Sequence, residues 1–124
     1  MSLLLDTHVV LWWLADAPEL PDEIKSRLDH EPDVRISAAT IWEIAIKQAR
    51  GKITGPADLP ERVRDGGFRE LPIHSAHAIE AGRLPLIHRD PFDRMLVAQA
   101  RFEGLTLVTA DPRCQQYQVP ILPV

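Results

Sequence analysis

The chain has 124 residues, the usual length of one domain, and we predict a single domain over residues 1–124. Its 14 basic and 18 acidic residues give a net charge of −4, which excludes nucleic-acid binding by bulk positive charge. The only cysteine, Cys114, excludes an intrachain disulfide framework, and the apolar run from Val9 to Ala15 is far shorter than the about 20 residues of a membrane span. We therefore expect a soluble, cytoplasmic protein with no membrane segment.

Short apolar runs alternate with segments that carry helix-capping residues along the whole chain. Ser37 and Asp90 are placed as N-caps, and Gly51 and Gly104 are placed just beyond helix ends. In chain order, the predicted elements are strand Leu3–Leu5, helix Thr7–Asp16, helix Pro21–His30, strand Val34–Ile36, helix Ala38–Arg50, helix Leu59–Gly66, strand Arg69–Ile73, helix Ser75–Arg83, helix Pro91–Glu103, strand Leu105–Thr109 and strand Val119–Leu122. This alternation predicts an α/β fold in which helices cover both faces of a mostly parallel sheet.

Acidic residues occur where predicted strands end or where the following helices begin. Asp6 directly follows the first strand, and Asp111 lies just beyond the fourth. Glu43 lies early in the helix after the second strand, and Asp93 lies in the first turn of the last long helix. Because ligands of open parallel sheets bind outside the carboxyl ends of the strands, these four carboxylates are predicted to converge in one cleft.

Four carboxylates in one cleft repel each other unless a cation lies between them. No histidine or cysteine pair has the spacing of zinc ligands, so an all-oxygen site for Mg²⁺ or Mn²⁺ is predicted. Such an ion binds phosphate oxygens and activates water, which favours phosphodiester chemistry. Four histidines have no visible partner, and surface or structural roles are predicted for them: His8, His74, His77 and His88.

The acidic residues also have structural interpretations. Asp90 is a good helix N-cap, and Asp93 complements the positive end of the same helix. Asp111 begins an Asp-Pro turn, and Glu43 lies four residues before Lys47, the spacing of an exposed helical ion pair. Only the carboxylate that directly follows the first strand is hard to explain without a function.

Four short stretches contain these acids and together span nearly the whole chain: Leu3-Leu4-Leu5-Asp6-Thr7-His8, Ser37-Ala38-Ala39-Thr40-Ile41-Trp42-Glu43-Ile44, Asp90-Pro91-Phe92-Asp93-Arg94-Met95-Leu96-Val97-Ala98-Gln99-Ala100 and Leu107-Val108-Thr109-Ala110-Asp111. Their residues resemble the acidic motifs of PIN domains. Their order and spacing are similar to those of the VapC-type toxins of bacterial and archaeal toxin–antitoxin pairs. All four acids are present, so an active member of that family is expected.

The resemblance implies a metal-dependent endoribonuclease on a three-layer α/β/α sandwich with a mostly parallel central sheet. It implies that Mg²⁺ or Mn²⁺ is bound by the four catalytic residues Asp6, Glu43, Asp93 and Asp111. Asp90 is expected to cap its helix or to support the site. Nearby hydroxyl and basic groups are expected to contact the RNA substrate: Thr7, Lys47, Arg50, Arg94 and Thr109. The resemblance also implies a homodimer that is inhibited by a cognate antitoxin protein.

Two other classes of protein remain open from the sequence. A phosphoacceptor receiver domain is also an α/β protein with clustered acids, but the last strands offer no lysine of the kind it needs. The other alternative is a PIN module that binds RNA or protein without cleaving it. The complete set of acids argues against that second alternative.

The first predicted helix has a surface that needs cover. Residues 9–15 are apolar on all sides, whereas the sheet can bury only one face. We expect part of the surface of Trp12 and Trp13 to contact a second copy or an antitoxin helix, unless the neighbouring helix Pro21–His30 covers it.

Overall fold

A five-stranded parallel sheet organises the protein. The structure is a computed structural model that describes all residues from Met1 to Val124. Its strands are, in chain order, β1 (Leu3–Leu5), β2 (Val34–Ser37), β3 (Arg69–Leu71), β4 (Thr106–Thr109) and β5 (Ile121–Pro123). They lie in the order β3-β2-β1-β4-β5, and every neighbouring pair is parallel. The mostly parallel sheet that the sequence predicts is confirmed.

Six α-helices connect the strands, and a single 3₁₀ turn covers Cys114–Gln116. The helices are α1 (Thr7–Leu14), α2 (Asp22–His30), α3 (Ala38–Ala49), α4 (Leu59–Arg64), α5 (Ser75–Arg83) and α6 (Pro91–Glu103). The bounds of α6 agree with the prediction because both of its caps form: the Asp90 side chain accepts the Phe92 N–H at 2.8 Å, and Gly104 adopts a φ of 69°. None of these helices has the length and apolar content needed to cross a membrane.

Two hydrophobic cores lie on opposite faces of the sheet. Side chains alternate between the faces along a strand, so Leu3 and Leu5 contribute to one core and Leu4 to the other. The first core is completed by residues of α1 to α4, among them Val9, Leu28, Ile44 and Val63. The second is completed by α5 and α6, through residues such as Ala81, Leu96 and Val97. The predicted three-layer α/β/α sandwich is therefore confirmed.

The order of strands reverses at the centre of the sheet. β1 is followed by β2 and β3 on one side, whereas β4 and β5 lie on the other side. A crevice forms at such a reversal, outside the carboxyl ends of the two central strands. Leu5 lies opposite Val108 in the register of β1 and β4, so Asp6 and Thr109 are neighbours at this edge.

Helix α1 is partly covered on the side that faces away from the sheet. The ring of Trp13 packs on Phe68 with centroids 4.7 Å apart, and its Nε1 donates to Asp29 of α2 at 3.2 Å. The ring of Trp12 lies 5.9 Å from that of His8. Helix α2 thus provides some of the cover, and contact of the two tryptophans with a second copy or an antitoxin stays a prediction.

Candidate active site

The Asp6 carboxylate lies in the crevice and is oriented by donors from two elements. Its Oδ1 accepts the main-chain N–H of Val9 at 2.9 Å, so Asp6 also caps α1. Its Oδ2 accepts a hydrogen bond from the Thr109 hydroxyl, whose oxygen accepts the N–H of Asp111 at 3.0 Å. Thr109 is fully buried and therefore fixes the relative position of two acids. The Thr109 hydroxyl hydrogen is directed at Asp6, and contact of Thr109 with substrate stays a prediction.

Glu43 approaches the same crevice from α3, and donors orient both of its carboxylate oxygens. The Thr7 hydroxyl donates to Oε1 at 2.6 Å, and the Lys47 ammonium lies 2.7 Å from Oε2. Glu43 is only 4% exposed, so the interpretation of Glu43 and Lys47 as an exposed helical pair is wrong. Thr7 is equally buried and donates to this carboxylate, and its contact with substrate stays a prediction.

His88 is a member of the site that the sequence prediction missed. Its Nε2 lies 2.8 Å from Asp111 Oδ2 and 3.0 Å from Asp93 Oδ2. Its Nδ1 accepts the main-chain N–H of Asp90 at 3.2 Å. Because Nδ1 is an acceptor there, the ring proton belongs on Nε2 and is shared by the two carboxylates. A surface position for His88 is wrong, because it is buried, and its contacts place it among the predicted acids.

In the absence of a bound cation, the negative charges of these acids repel one another. Burial raises the pKa of Asp93 to about 7, and the nearby Asp90, Glu43 and Asp6 charges act in the same direction. Burial also raises the pKa of Asp6, despite its hydrogen bonds from Thr109 and Val9. A divalent cation would relieve this penalty, because it stabilises the ionised form of every carboxylate around it.

The pKa of Asp111 is shifted in the opposite direction from the pKa values of Asp6 and Asp93. Burial would raise its pKa, but the Arg113 N–H, 2.8 Å from Oδ1, and the His88 ring together hold the pKa below its usual value. Asp111 is therefore ionised over the whole neutral range. The site contains one firmly anionic aspartate beside two whose protonation is favoured by burial, an arrangement typical of functional sites.

Cys114 lies against the same group of side chains. The donor atoms of His88, Asp93, Asp111 and Cys114 all lie within 4.8 Å of one another, close enough to surround a single ion. Burial and then the surrounding carboxylates raise the pKa of the Cys114 thiol, so it is protonated and a poor ligand at neutral pH. The oxygens of the acids remain the principal donors, which fits a hard divalent cation.

Arg94 does not lie in the cleft. Its guanidinium is buried and donates to four main-chain carbonyls, those of Ala81 at 2.8 Å, Leu84 at 3.0 Å, Pro85 at 3.0 Å and His88 at 3.3 Å. It therefore fastens the connection between α5 and α6, which carries His88. The structure thus differs from the predicted contact of Arg94 with substrate, because the guanidinium is buried and its donors are directed at main-chain carbonyls.

Two grooves extend from the acids. One, of about 360 Å³, is lined by Glu43, Asp90, Phe92 and four basic residues, namely Lys47, Arg50, Lys52 and Arg89. The other, of about 460 Å³, is lined by Asp6, Asp111, His8, Trp12 and Arg113. The carboxylates thus lie between two open channels, and the predicted neighbours Lys47 and Arg50 both line the first.

The PIN domain family model matches residues 3–120, and the chain belongs to this family. The chain is also 29% identical over 126 residues to Ribonuclease VapC22 of Mycobacterium tuberculosis (strain ATCC 25618 / H37Rv), an alignment that covers 96% of this chain and 94% of that protein. The predicted resemblance is confirmed, and the alternative of a phosphoacceptor receiver domain is excluded.

Solved structures share the fold over their whole length. A chain of VapBC2 from Rickettsia felis, bound to a DNA fragment from its promoter, has a TM-score of 0.76 at 14% identity and covers 100% of this chain and 99% of that one. A chain of DNA-bound VapBC from Salmonella typhimurium has a TM-score of 0.72 at 19% identity, with 99% and 98% covered. At these identities the likeness establishes the fold alone.

Proposed function

We propose that the protein is a metal-dependent endoribonuclease and the toxin of a toxin–antitoxin pair. The observation that carries the proposal is the position of Asp6, Glu43, Asp93 and Asp111 around the central crevice, where Thr109 orients Asp6, Thr7 orients Glu43 and the shared His88 Nε2–H orients the other two. Membership of the PIN family and the relative named as a ribonuclease support the same conclusion.

The four carboxylates would hold Mg²⁺ or Mn²⁺, since both ions prefer oxygen ligands. When bound, the metal would polarise the phosphodiester and the attacking water. The chain itself supplies rigid positions for the ligands. The Thr109 and Thr7 hydroxyls and the His88 Nε2–H each fix the position of a carboxylate oxygen.

No protein nucleophile is needed in this site. The Thr7 and Thr109 hydroxyl hydrogens are directed at carboxylates, and the Cys114 thiol is buried and protonated. Water is therefore the nucleophile that the geometry favours, and the reaction is hydrolysis. Arg50 and Lys52 are exposed in the groove beside Glu43, where they are placed to contact the phosphates of the substrate.

The proposed partners follow from the solved relatives. Two of them are VapBC complexes bound to DNA, and the resemblance of this chain to VapC-type toxins implies a homodimer inhibited by an antitoxin, which we propose here. The exposed parts of Trp12 and Trp13 on α1 are the proposed contact surface. Cytoplasmic action is part of the same proposal, because its RNA substrate is there.

Purified protein incubated with single-stranded RNA tests the activity. We expect cleavage in Mg²⁺ or Mn²⁺ that stops in excess chelator. Asp6→Asn keeps the size of the side chain but weakens a metal ligand, and it should lower the rate at least about a hundredfold. Asp58→Asn is the matched control, because Asp58 is exposed on the approach to α4 and pairs only with Arg62. Equal cleavage by the Asp6 variant and the control would contradict the proposal, and binding without cleavage would identify a non-catalytic module.

A further inference from the structure

An aromatic pair, one exposed indole and one half-buried phenyl ring, lies at the edge of the candidate active site. Trp42 on α3 is 61% exposed, although it directly precedes the buried Glu43. Phe92 directly precedes Asp93 on α6, and its ring meets that of Trp42 nearly edge-on, with centroids 5.2 Å apart and planes at 73°. The pair therefore brings a large open aromatic face to the two helices that supply metal ligands. Leaving an indole in water is unfavourable unless another molecule covers it.

The groove beside this pair is positively charged. Beside Phe92, four basic residues outnumber two acids, Glu43 and Asp90, in its lining: Lys47, Arg50, Lys52 and Arg89. Lys47 is engaged by Glu43, whereas the other three cations are exposed and form no ion pair within the chain. In a protein with a net charge of −4, three free cations in one groove are a local excess that favours an anionic ligand.

We propose that this groove and Trp42 form a subsite for single-stranded RNA, in which a base stacks on the indole and the phosphates contact Arg50, Lys52 and Arg89. The inference rests on the proposed ribonuclease function and names the part of the substrate that the site binds. Stacking on an aromatic side chain requires a base that is free of its duplex partners. The subsite therefore selects unpaired RNA next to the cleaved bond.

The positive charge of the groove favours RNA over a protein as its occupant. A second copy related by a two-fold axis would bring the same three cations to the same face, and like charges opposed across an interface are unfavourable. An apolar helix would bury Arg50, Lys52 and Arg89 without partners. A strand of RNA offers both a stacking base and phosphates, and these are the two features that the groove lacks.

The test measures RNA binding separately from cleavage. In Asp6→Asn protein with Mg²⁺, the affinity for a labelled single-stranded oligonucleotide is compared with that for its duplex, and the intact RNA is verified on a gel. Adding Trp42→Ala should weaken binding of the single strand about tenfold and leave duplex binding unchanged. Trp42→Phe should restore most of the affinity. Phe102→Ala is the control, because Phe102 is 55% exposed near the other end of α6.

Two further measurements report on stacking and charge. RNA should quench the tryptophan fluorescence of the Asp6→Asn protein, and this change should largely disappear in Trp42→Phe, which keeps Trp12 and Trp13. Arg89→Ala should lower affinity for all RNA sequences and reduce the salt dependence of binding by about one phosphate contact.

The inference is overturned if Trp42→Ala binds the single strand as tightly as its parent, or if single strand and duplex lose affinity equally. It is also overturned if the substitution leaves RNA affinity unchanged but dissociates a homodimer or an antitoxin complex in sedimentation experiments. These results differ from failure of the proposed function, in which the parent would not cleave RNA or Asp6→Asn would cleave it as fast as the parent, whatever the behaviour of Trp42.

Discussion

Two buried histidines, His77 and His88, make nearly the same local contacts but lie in clusters with different chemistry. Each Nδ1 accepts the N–H of a residue that caps a helix, His74 for α5 and Asp90 for α6. Each Nε2 then faces carboxylate oxygen. His77 meets the single carboxylate of Glu103 at 3.2 Å, whereas His88 lies between the carboxylates of Asp93 and Asp111.

The surroundings of the carboxylates make the difference. Glu103 also faces the guanidinium of Arg35 at 4.0 Å, so its charge is balanced by a cation of the chain. The two acids beside His88 share one imidazole, and further acids lie close by. The surroundings of His77 are therefore those of a structural histidine, whereas the excess of carboxylates around His88 fits the proposed metal site. Neighbours along the chain do not reveal which case applies.

The largest expected difference between substitutions of His88 and His77 is in the Mg²⁺ dependence of RNA cleavage. His88→Asn can retain an acceptor for the Asp90 N–H but is too short to reach the acids, whereas His88→Gln can place an N–H donor near them. Loss of the donor should weaken metal binding or activity about 10- to 100-fold in the Asn variant, with partial recovery in the Gln variant. The measurement is RNA cleavage as a function of Mg²⁺ concentration. An unchanged Mg²⁺ dependence for His88→Asn would remove His88 from the site.

The same substitution at the other histidine should change stability instead. His77→Asn leaves Glu103 without its buried partner and should lower the free energy of unfolding by about 1–3 kcal/mol. Urea unfolding followed by circular dichroism measures this loss. The Mg²⁺ dependence of cleavage by the folded protein should match that of the parent, and a shift in it would show that the two histidine clusters are not functionally distinct.

A smaller effect, an increase in the stability of the metal-free protein at neutral pH, is expected for Asp93→Asn. Its pKa is raised to about 7 in the folded protein, so the folded state binds a proton more tightly than the unfolded state does. Stability of the metal-free parent should therefore fall as the pH rises from about 4 to 7, and Asp93→Asn should remove this fall. Above pH 7, in chelator, the variant should be more stable by about 1 kcal/mol, after allowance for partial solvent exposure.

Unfolding in chelator at several pH values provides the comparison for Asp93. If the residue only complements the dipole of α6, Asp93→Asn should instead lose about 0.3–1 kcal/mol at neutral pH. In addition, Mg²⁺ should raise the midpoint of the parent more than that of the variant, because the parent binds the ion more tightly. Equal increases of the two midpoints would indicate that Asp93 has only a structural role.

Much of the fold could be predicted because its signals are local. The run Leu3–Leu5 forms a buried strand, and the capping residues Asp90 and Gly104 fix the ends of α6. The positions of the acids after strands placed them at one sheet edge once a parallel sheet was assumed. Asp16, by contrast, was placed inside the first helix, but it adopts a φ of 49° and α1 ends before it.

The errors concern contacts between residues distant in sequence. His88 and Asp111 are 23 residues apart, so no spacing rule reveals that they are hydrogen-bonded. Arg94 adjoins an acid in the sequence and was therefore expected to contact substrate, but its carbonyl partners lie in the preceding connection. Thr7 and Thr109 were correctly expected near the site, yet the direction of their hydroxyls depends on Glu43 and Asp6, which only the folded chain brings within reach.

Binding of Mn²⁺ tests most directly whether the acid cluster, rather than the balanced cluster around His77, is a metal centre. Titrations followed by electron paramagnetic resonance would compare the parent with Asp6→Asn and Glu103→Gln, in the absence of RNA. We expect Asp6→Asn to bind the ion at least about tenfold more weakly and Glu103→Gln to bind it like the parent. Equal affinity of the parent and Asp6→Asn would contradict the assignment of the crevice as the metal site.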